Sequence, residues 1–126
     1  MVPNRKYIKL LLKFRYAFNG LRIAFTAHSS FRIHILTAII IYLLGFILNL
    51  NLIQWVFIST AIIFVIVSEL FNTAIEHICD FIHIKHHKDI KIIKDISAAA
   101  VLIAVLNAII TGGIIFILHI IEVLHG

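Results

Sequence analysis

Three long apolar runs constrain this chain more than any other feature. They cover about residues 33–48 ("IHILTAIIIYLLGFIL"), 52–67 and 98–121, and none carries a Lys, Arg, Asp or Glu. Backbone inside hydrocarbon must satisfy its own N–H and C=O groups, so such runs read as membrane-spanning helices. The first is short for a bilayer unless flanking residues contribute. Composition agrees: of 126 residues, 62% are hydrophobic and 13% charged, with a mean hydropathy of +1.09, outside the range of a soluble domain. The expected fold is an all-α integral membrane protein in a single domain, 1–126. An amphipathic surface helix at about 5–26 precedes three transmembrane helices at about 33–48, 52–80 and 98–121.

The placement of charge adds a topology. Arg5, Lys6, Lys9, Lys13, Arg15, Arg22 and Arg32 precede the first run, and Lys85, Lys88, Lys91 and Lys94 lie between the second and third. The turn "LNLNL" and the C-terminal segment carry no basic cluster. By the positive-inside rule the N-terminus is cytoplasmic, the first hairpin outside, the basic segment inside and the C-terminus outside. Basicity that follows topology this closely gives no reason to invoke nucleic acid. The single cysteine, Cys79, excludes an internal disulfide and a cysteine-based zinc cluster. The first apolar stretch is interleaved with Lys and Arg and lacks a small-residue cleavage site, so the N-terminus is expected to be retained.

On a helical wheel Arg5, Lys6, Lys9, Lys13 and Tyr16 share one face, which suits a helix at the inner membrane surface. That face reads either as an anchor on anionic lipid or as a basic shelf for phosphate. Gly20 is a candidate bend. In the third span Ala100, Ala104, Ala108 and Gly112 recur every four residues, which permits close helix approach. Gly112-Gly113 lies within an apolar span, with no following Lys-Ser/Thr, so it reads as packing rather than a phosphate loop.

The second run ends in "SELFNTAIEHICD". Glu69, Asn72, Glu76 and Asp80 fall within about 80° of one another on a helix, and Thr73 joins them. Glu69 is seventeen helical steps from Leu52, roughly 25 Å against a hydrocarbon core of about 30 Å, so it sits near the inner edge of the bilayer. Acids on one stripe repel unless a hard cation such as Mg²⁺, or the following lysines, lies between them. Asp80 alone reads as a solvated acid paired with a lysine, whereas Glu69 and Glu76 beside an amide at that depth point to a site. The segment "HIKHHKDIKIIKD" is expected to be a loop opposite the stripe. His86 and His87 are adjacent rather than i, i+4, a weak metal signal. Lys94 can hold a phosphate, with Asp95 orienting it. Carboxylates for Mg²⁺, lysines for phosphate and a carboxylate at the water–lipid boundary meet the needs of phosphoryl transfer, without identifying the donor.

"SELFNTAIEHICD", "KIIKDISAAAVLIA", "YAFNGLRIAF" and "FRIH" together resemble the prokaryotic diacylglycerol kinase family, which includes the undecaprenol kinases. The likeness covers nearly the whole chain. It implies a homotrimeric kinase of the bacterial inner membrane that uses ATP and Mg²⁺ to phosphorylate a lipid alcohol, with active sites shared between subunits. By matching position, Glu69 resembles the general base and Glu76 a Mg²⁺ ligand. Asn72 and Asp80 resemble direct or indirect support for that metal. Lys9, Tyr16, Lys85, His86, His87, Lys94 and Asp95 resemble the nucleotide-binding set, and Arg32, Asn72 and Ala98, with Glu69, the substrate-binding set. On this basis the face bearing Lys9, Lys13 and Tyr16 is expected to border the ATP site. One position departs: the family usually has a second metal-binding glutamate where this chain has His28, and imidazole is a poor Mg²⁺ ligand. "FRIH" resembles the undecaprenol-kinase branch. Two rival readings stand: a small transporter or channel subunit with a carboxylate-lined path, and a catalytically impaired homologue with a binding role.

Overall fold

A computed structural model describes residues 5–82 and 87–126, with side chains from residue 7. Helix α1 spans Arg5–Ala27, α2 Ser29–Ile47, α3 Leu52–Ile82 and α4 Lys88–His125. Helices α2, α3 and α4 are long and apolar enough to cross a membrane. Helix α2 begins four residues before the expected first span, and its 19 residues extend roughly 28 Å, which removes the shortfall.

Two boundaries differ from expectation. Gly20 does not break α1; the break is at His28, whose extended backbone (φ −119°, ψ 117°) separates α1 from α2. Arg32 Nη1 donates to the carbonyls of Phe25 and Thr26 at 3.0 and 3.1 Å, pinning the last turn of α1 to the first turns of α2. These are C-terminal carbonyls that lack helical partners, so a guanidinium suits them. The second difference concerns the basic segment. Residues 88–95 are not loop but the first two turns of α4, started by His87, whose Nδ1 accepts from the Asp89 N–H at 3.3 Å. Lys91 and Asp95 pair across one turn at 2.6 Å.

The outer turn is tight, as expected from "NLN". Asn49 takes a positive φ of 55°, a conformation asparagine tolerates better than most side chains. Asn51 and Gln54 then cap α3 reciprocally, each side-chain oxygen accepting from the other's backbone N–H at 3.0 and 2.9 Å. Trp55 packs on Gly45 and stacks against Tyr42, with ring centroids 5.7 Å apart. A Cβ at position 45 would lie 2.6 Å from the indole. Below this clasp, Ala38, Leu50, Ile58 and Ile62 form the buried core, with Ile115 and Phe116 of α4 against them. Helix α4 packs most extensively on α3, and of its small residues Ala104 is fully buried there. This packing brings the start of α4 alongside the end of α3, where the carboxylates lie.

Candidate active site

Glu69, Asn72, Thr73 and Ser97 are the buried polar residues of the described chain. The first three come from the acidic stripe of α3, and the fourth from α4. Glu69 is 4% exposed, and it accepts no hydrogen bond among the described residues. Its nearest charged partner is His34 of α2, whose Nε2 is 3.9 Å from Glu69 Oε2. His34 also lines a cavity of about 130 Å³ between α2, α3 and α4, with Thr37, Val65 and Ala108. His34 thus stands between the Glu69 carboxylate and a cavity that is otherwise mostly apolar.

Asn72 connects the two helices. Its Nδ2 donates to Glu76 Oε1 at 3.3 Å, while its Oδ1 accepts the Ser97 hydroxyl. Both ends of the amide are therefore engaged, which leaves Asn72 to orient Glu76. Glu76 is half-buried and keeps its second carboxylate oxygen for another partner. The Thr73 hydroxyl is buried on the same face with no partner among the described residues.

Asp80 and Lys94 pair at 2.6 Å across the α3–α4 junction, as expected for a solvated acid beside the basic segment. The expected pairing of Lys94 with Asp95 does not occur, since Asp95 holds Lys91. Adjacent helical residues point about 100° apart, so Asp95 cannot easily orient Lys94. Ala98 is exposed on α4 beside Ser97. Lys9 and Tyr16 are exposed on α1 and border separate grooves made of α1 residues. The structure of one chain does not bring them to the stripe. Arg32 is engaged with α1 carbonyls, and Lys85 and His86 lie outside the described residues. His87 caps α4.

His28, at the position where the resemblance expects glutamate, meets His77 of α3, with Nε2 atoms 3.0 Å apart. His34, His77 and Ser97 were not singled out from sequence. His34 stood in the "FRIH" motif, and Ser97 directly follows "KDI", but neither carries a spacing signal of its own. The polar stripe does not continue through the membrane: between Leu52 and Val67, Gln54 belongs to the α3 cap and Thr60 bonds back to the Val56 carbonyl at 2.7 Å, which leaves only the half-buried Ser59. That removes the support a carboxylate-lined ion path would need.

A family model described as prokaryotic diacylglycerol kinase matches residues 15–116. The diacylglycerol kinase of Synechocystis is 37% identical over 105 residues, covering 82% of this chain and 60% of that protein. The chain thus matches less than two thirds of that relative's length. The undecaprenol kinase of Bacillus subtilis is 38% identical over 88 residues, 70% of this chain and 72% of that protein. The diacylglycerol kinase of Escherichia coli is 31% identical over 104 residues, 82% of this chain and 85% of that protein. With most of its length matched, from the surface helix through the last span, the chain belongs to the prokaryotic diacylglycerol kinase family.

Proposed function

We propose that this protein is a membrane lipid kinase that transfers the γ-phosphate of ATP to the hydroxyl of a membrane lipid. The observation that carries the proposal is Glu69, a buried carboxylate with no hydrogen-bond donor among the described residues, at the head of the polar stripe and 3.9 Å from His34, which lines the apolar cavity. Phosphoryl transfer needs a base to take the proton of the acceptor hydroxyl, and a group held out of water at head-group depth can do this. His34, 3.9 Å away, is the ionisable side chain that faces Glu69 from α2.

The oxygen donors fit Mg²⁺. Glu76 has a free carboxylate oxygen, and the partnerless Thr73 hydroxyl lies on the same face. Mg²⁺ prefers such oxygens and keeps several waters, and when bound it neutralises charge on the ATP phosphates. Glu76 holds it, and Asn72, fixed by Ser97, holds Glu76. Lys94, anchored by Asp80, presents its ammonium to the phosphates. Lys9 and Tyr16 of α1, Lys85, His86 and His87 complete the nucleotide side, with Asp95 steadying Lys91 next to them. Arg32 keeps the α1–α2 corner closed, and the small side chain of Ala98 leaves room for the acceptor beside α4.

Because Lys9 and Tyr16 stand apart from the stripe within one chain, a homotrimer with shared sites is the assembly that lets them serve a neighbour's Glu76. The positive-inside rule supports a cytoplasmic N-terminus, with the ATP site on the cytoplasmic side of the bacterial inner membrane. Diacylglycerol and undecaprenol both bring one hydroxyl on an apolar body held in the bilayer, so both can present that hydroxyl at the depth of Glu69. The test is ATP consumption by purified protein in micelles with each lipid supplied separately. Turnover dependent on one of them, and on Mg²⁺, is expected. No lipid-dependent turnover with either overturns the proposal.

A further inference from the structure

His28 and His77 lie 49 residues apart in sequence, yet their rings face each other. The Nε2 atoms are 3.0 Å apart and the ring planes cross at 77°. The backbone accounts for part of this. His28 is the one extended residue between α1 and α2; its N–H is bonded to the Ala24 carbonyl, and its side chain makes no capping bond. The ring is therefore free to reach α3. His77 follows Glu76 on α3 and is exposed, so it can turn toward the corner.

As a simple hydrogen bond the pair needs one imidazole to donate from Nε2 and the other to accept there. The same geometry suits two neutral imidazoles bound to one cation. With metal–nitrogen bonds of about 2.05 Å, nitrogens at this spacing subtend roughly 94° at the ion. That is the angle between neighbouring ligands in octahedral or tetragonal coordination, and a tetrahedral ion needs only a few tenths of an ångström more. Among the described residues no three His, Cys, Asp or Glu side chains converge, so water completes the coordination. Imidazole serves late first-row ions far better than Mg²⁺.

We propose that His28 and His77 form a two-imidazole site for a late first-row divalent cation, joining the α1–α2 corner to α3. The proposal goes beyond the kinase reading: His28 stands where the resemblance expects a metal-binding glutamate, but its partner is the His77 imidazole rather than the oxygen donors of the stripe. A cation held this way favours the native arrangement of α1 against α3 and raises the unfolding temperature.

The probe is Ni²⁺, titrated calorimetrically into the purified full-length protein in micelles with excess Mg²⁺ and no ATP, alongside thermal unfolding. The six other histidines supply a background common to every variant. Wild type is expected to bind one additional Ni²⁺ per chain and to gain thermal stability from it. His28→Gln and His77→Gln should each lose about tenfold or more in affinity for that ion, together with the stability gain. His125→Gln, at the exposed end of α4, should keep the wild-type isotherm. Wild-type isotherms in both His28→Gln and His77→Gln overturn the proposal, as does a wild type that binds no Ni²⁺ in the presence of Mg²⁺. If His28→Gln does not fold, the isotherm of His77→Gln decides alone, because His77 is on the surface of a long helix. Lipid-dependent ATP turnover without Ni²⁺, run on the same samples, reports separately on the kinase reading.

Discussion

Ser97→Ala removes one oxygen atom from α4, and its effect should appear at a carboxylate on α3. The Ser97 hydroxyl donates to Asn72 Oδ1, and Asn72 Nδ2 donates to Glu76 Oε1. Without the hydroxyl, a buried amide oxygen loses its partner, which costs about 1–3 kcal/mol. Asn72 can then relieve that cost by rotating toward water, and Glu76 loses the donor that orients it. If that whole cost is passed to metal binding, a tenfold change per 1.4 kcal/mol gives a loss of about 5- to 150-fold in Mg²⁺ affinity. Partners that orient metal ligands elsewhere are worth about 10–100-fold, the same range. The assay is lipid-dependent ATP turnover against Mg²⁺ concentration, with thermal unfolding of the same sample. The half-saturating Mg²⁺ concentration should rise about tenfold or more, while turnover at saturating Mg²⁺ falls much less. Ser97→Thr keeps the hydroxyl and should restore much of the loss. A folded Ser97→Ala variant with an unmoved Mg²⁺ curve refutes the relay from Ser97 through Asn72 to Glu76.

Glu69→Gln keeps shape and burial but removes the base, so turnover should fall by about 10²-fold or more with nucleotide binding retained; near-normal turnover in the folded variant rules out that role. Glu76→Gln should instead weaken Mg·ATP binding, measured by direct nucleotide titration. Gly45→Ala drives a methyl group to 2.6 Å from the Trp55 ring and should destabilise the outer clasp by about 1–3 kcal/mol, read as a lower unfolding temperature with the active-site residues untouched. In a Cys79→Ala background, a cysteine introduced at Asn51 should react with an impermeant thiol reagent on intact cells, and one at Lys88 should not. The reverse pattern would put the stripe on the wrong side of the membrane.

The spans and the acidic stripe were legible because both are periodic along one helix. Glu69, Asn72, Thr73 and Glu76 share a face whatever packs against it. The beginning of α4 was not, because polarity in residues 88–95 reads as loop, although Lys91 and Asp95 pair across a turn and His87 caps it. Contacts between helices are legible only in part. Charge alone points Asp80 to a lysine of the following segment, and Lys94 fills that role, whereas Ser97 reaches Asn72 from 25 residues away with no signal in the spacing. His28 was visible as a departure from the family pattern. That it faces His77 depends on how the chain turns between α1 and α2, which local sequence does not encode.

That turn has a mechanical consequence. A single non-helical residue joins a rod to the rest of the protein, so α1 behaves as a lever with its pivot at His28. Lys9 is nineteen residues out along the rod, roughly 28 Å from the pivot, and a swing of about 10° displaces it by roughly 5 Å. An error of that size exceeds the length of a hydrogen bond, enough to part the Lys9 ammonium from any partner it holds. The two bonds from Arg32 to the carbonyls of Phe25 and Thr26 act close to the pivot, where a brace must be stiff to hold the far end still. Small angular play at the corner is therefore multiplied at the tip, and the reach of α1 depends on Arg32 and the His28–His77 contact, both far from the end they steady.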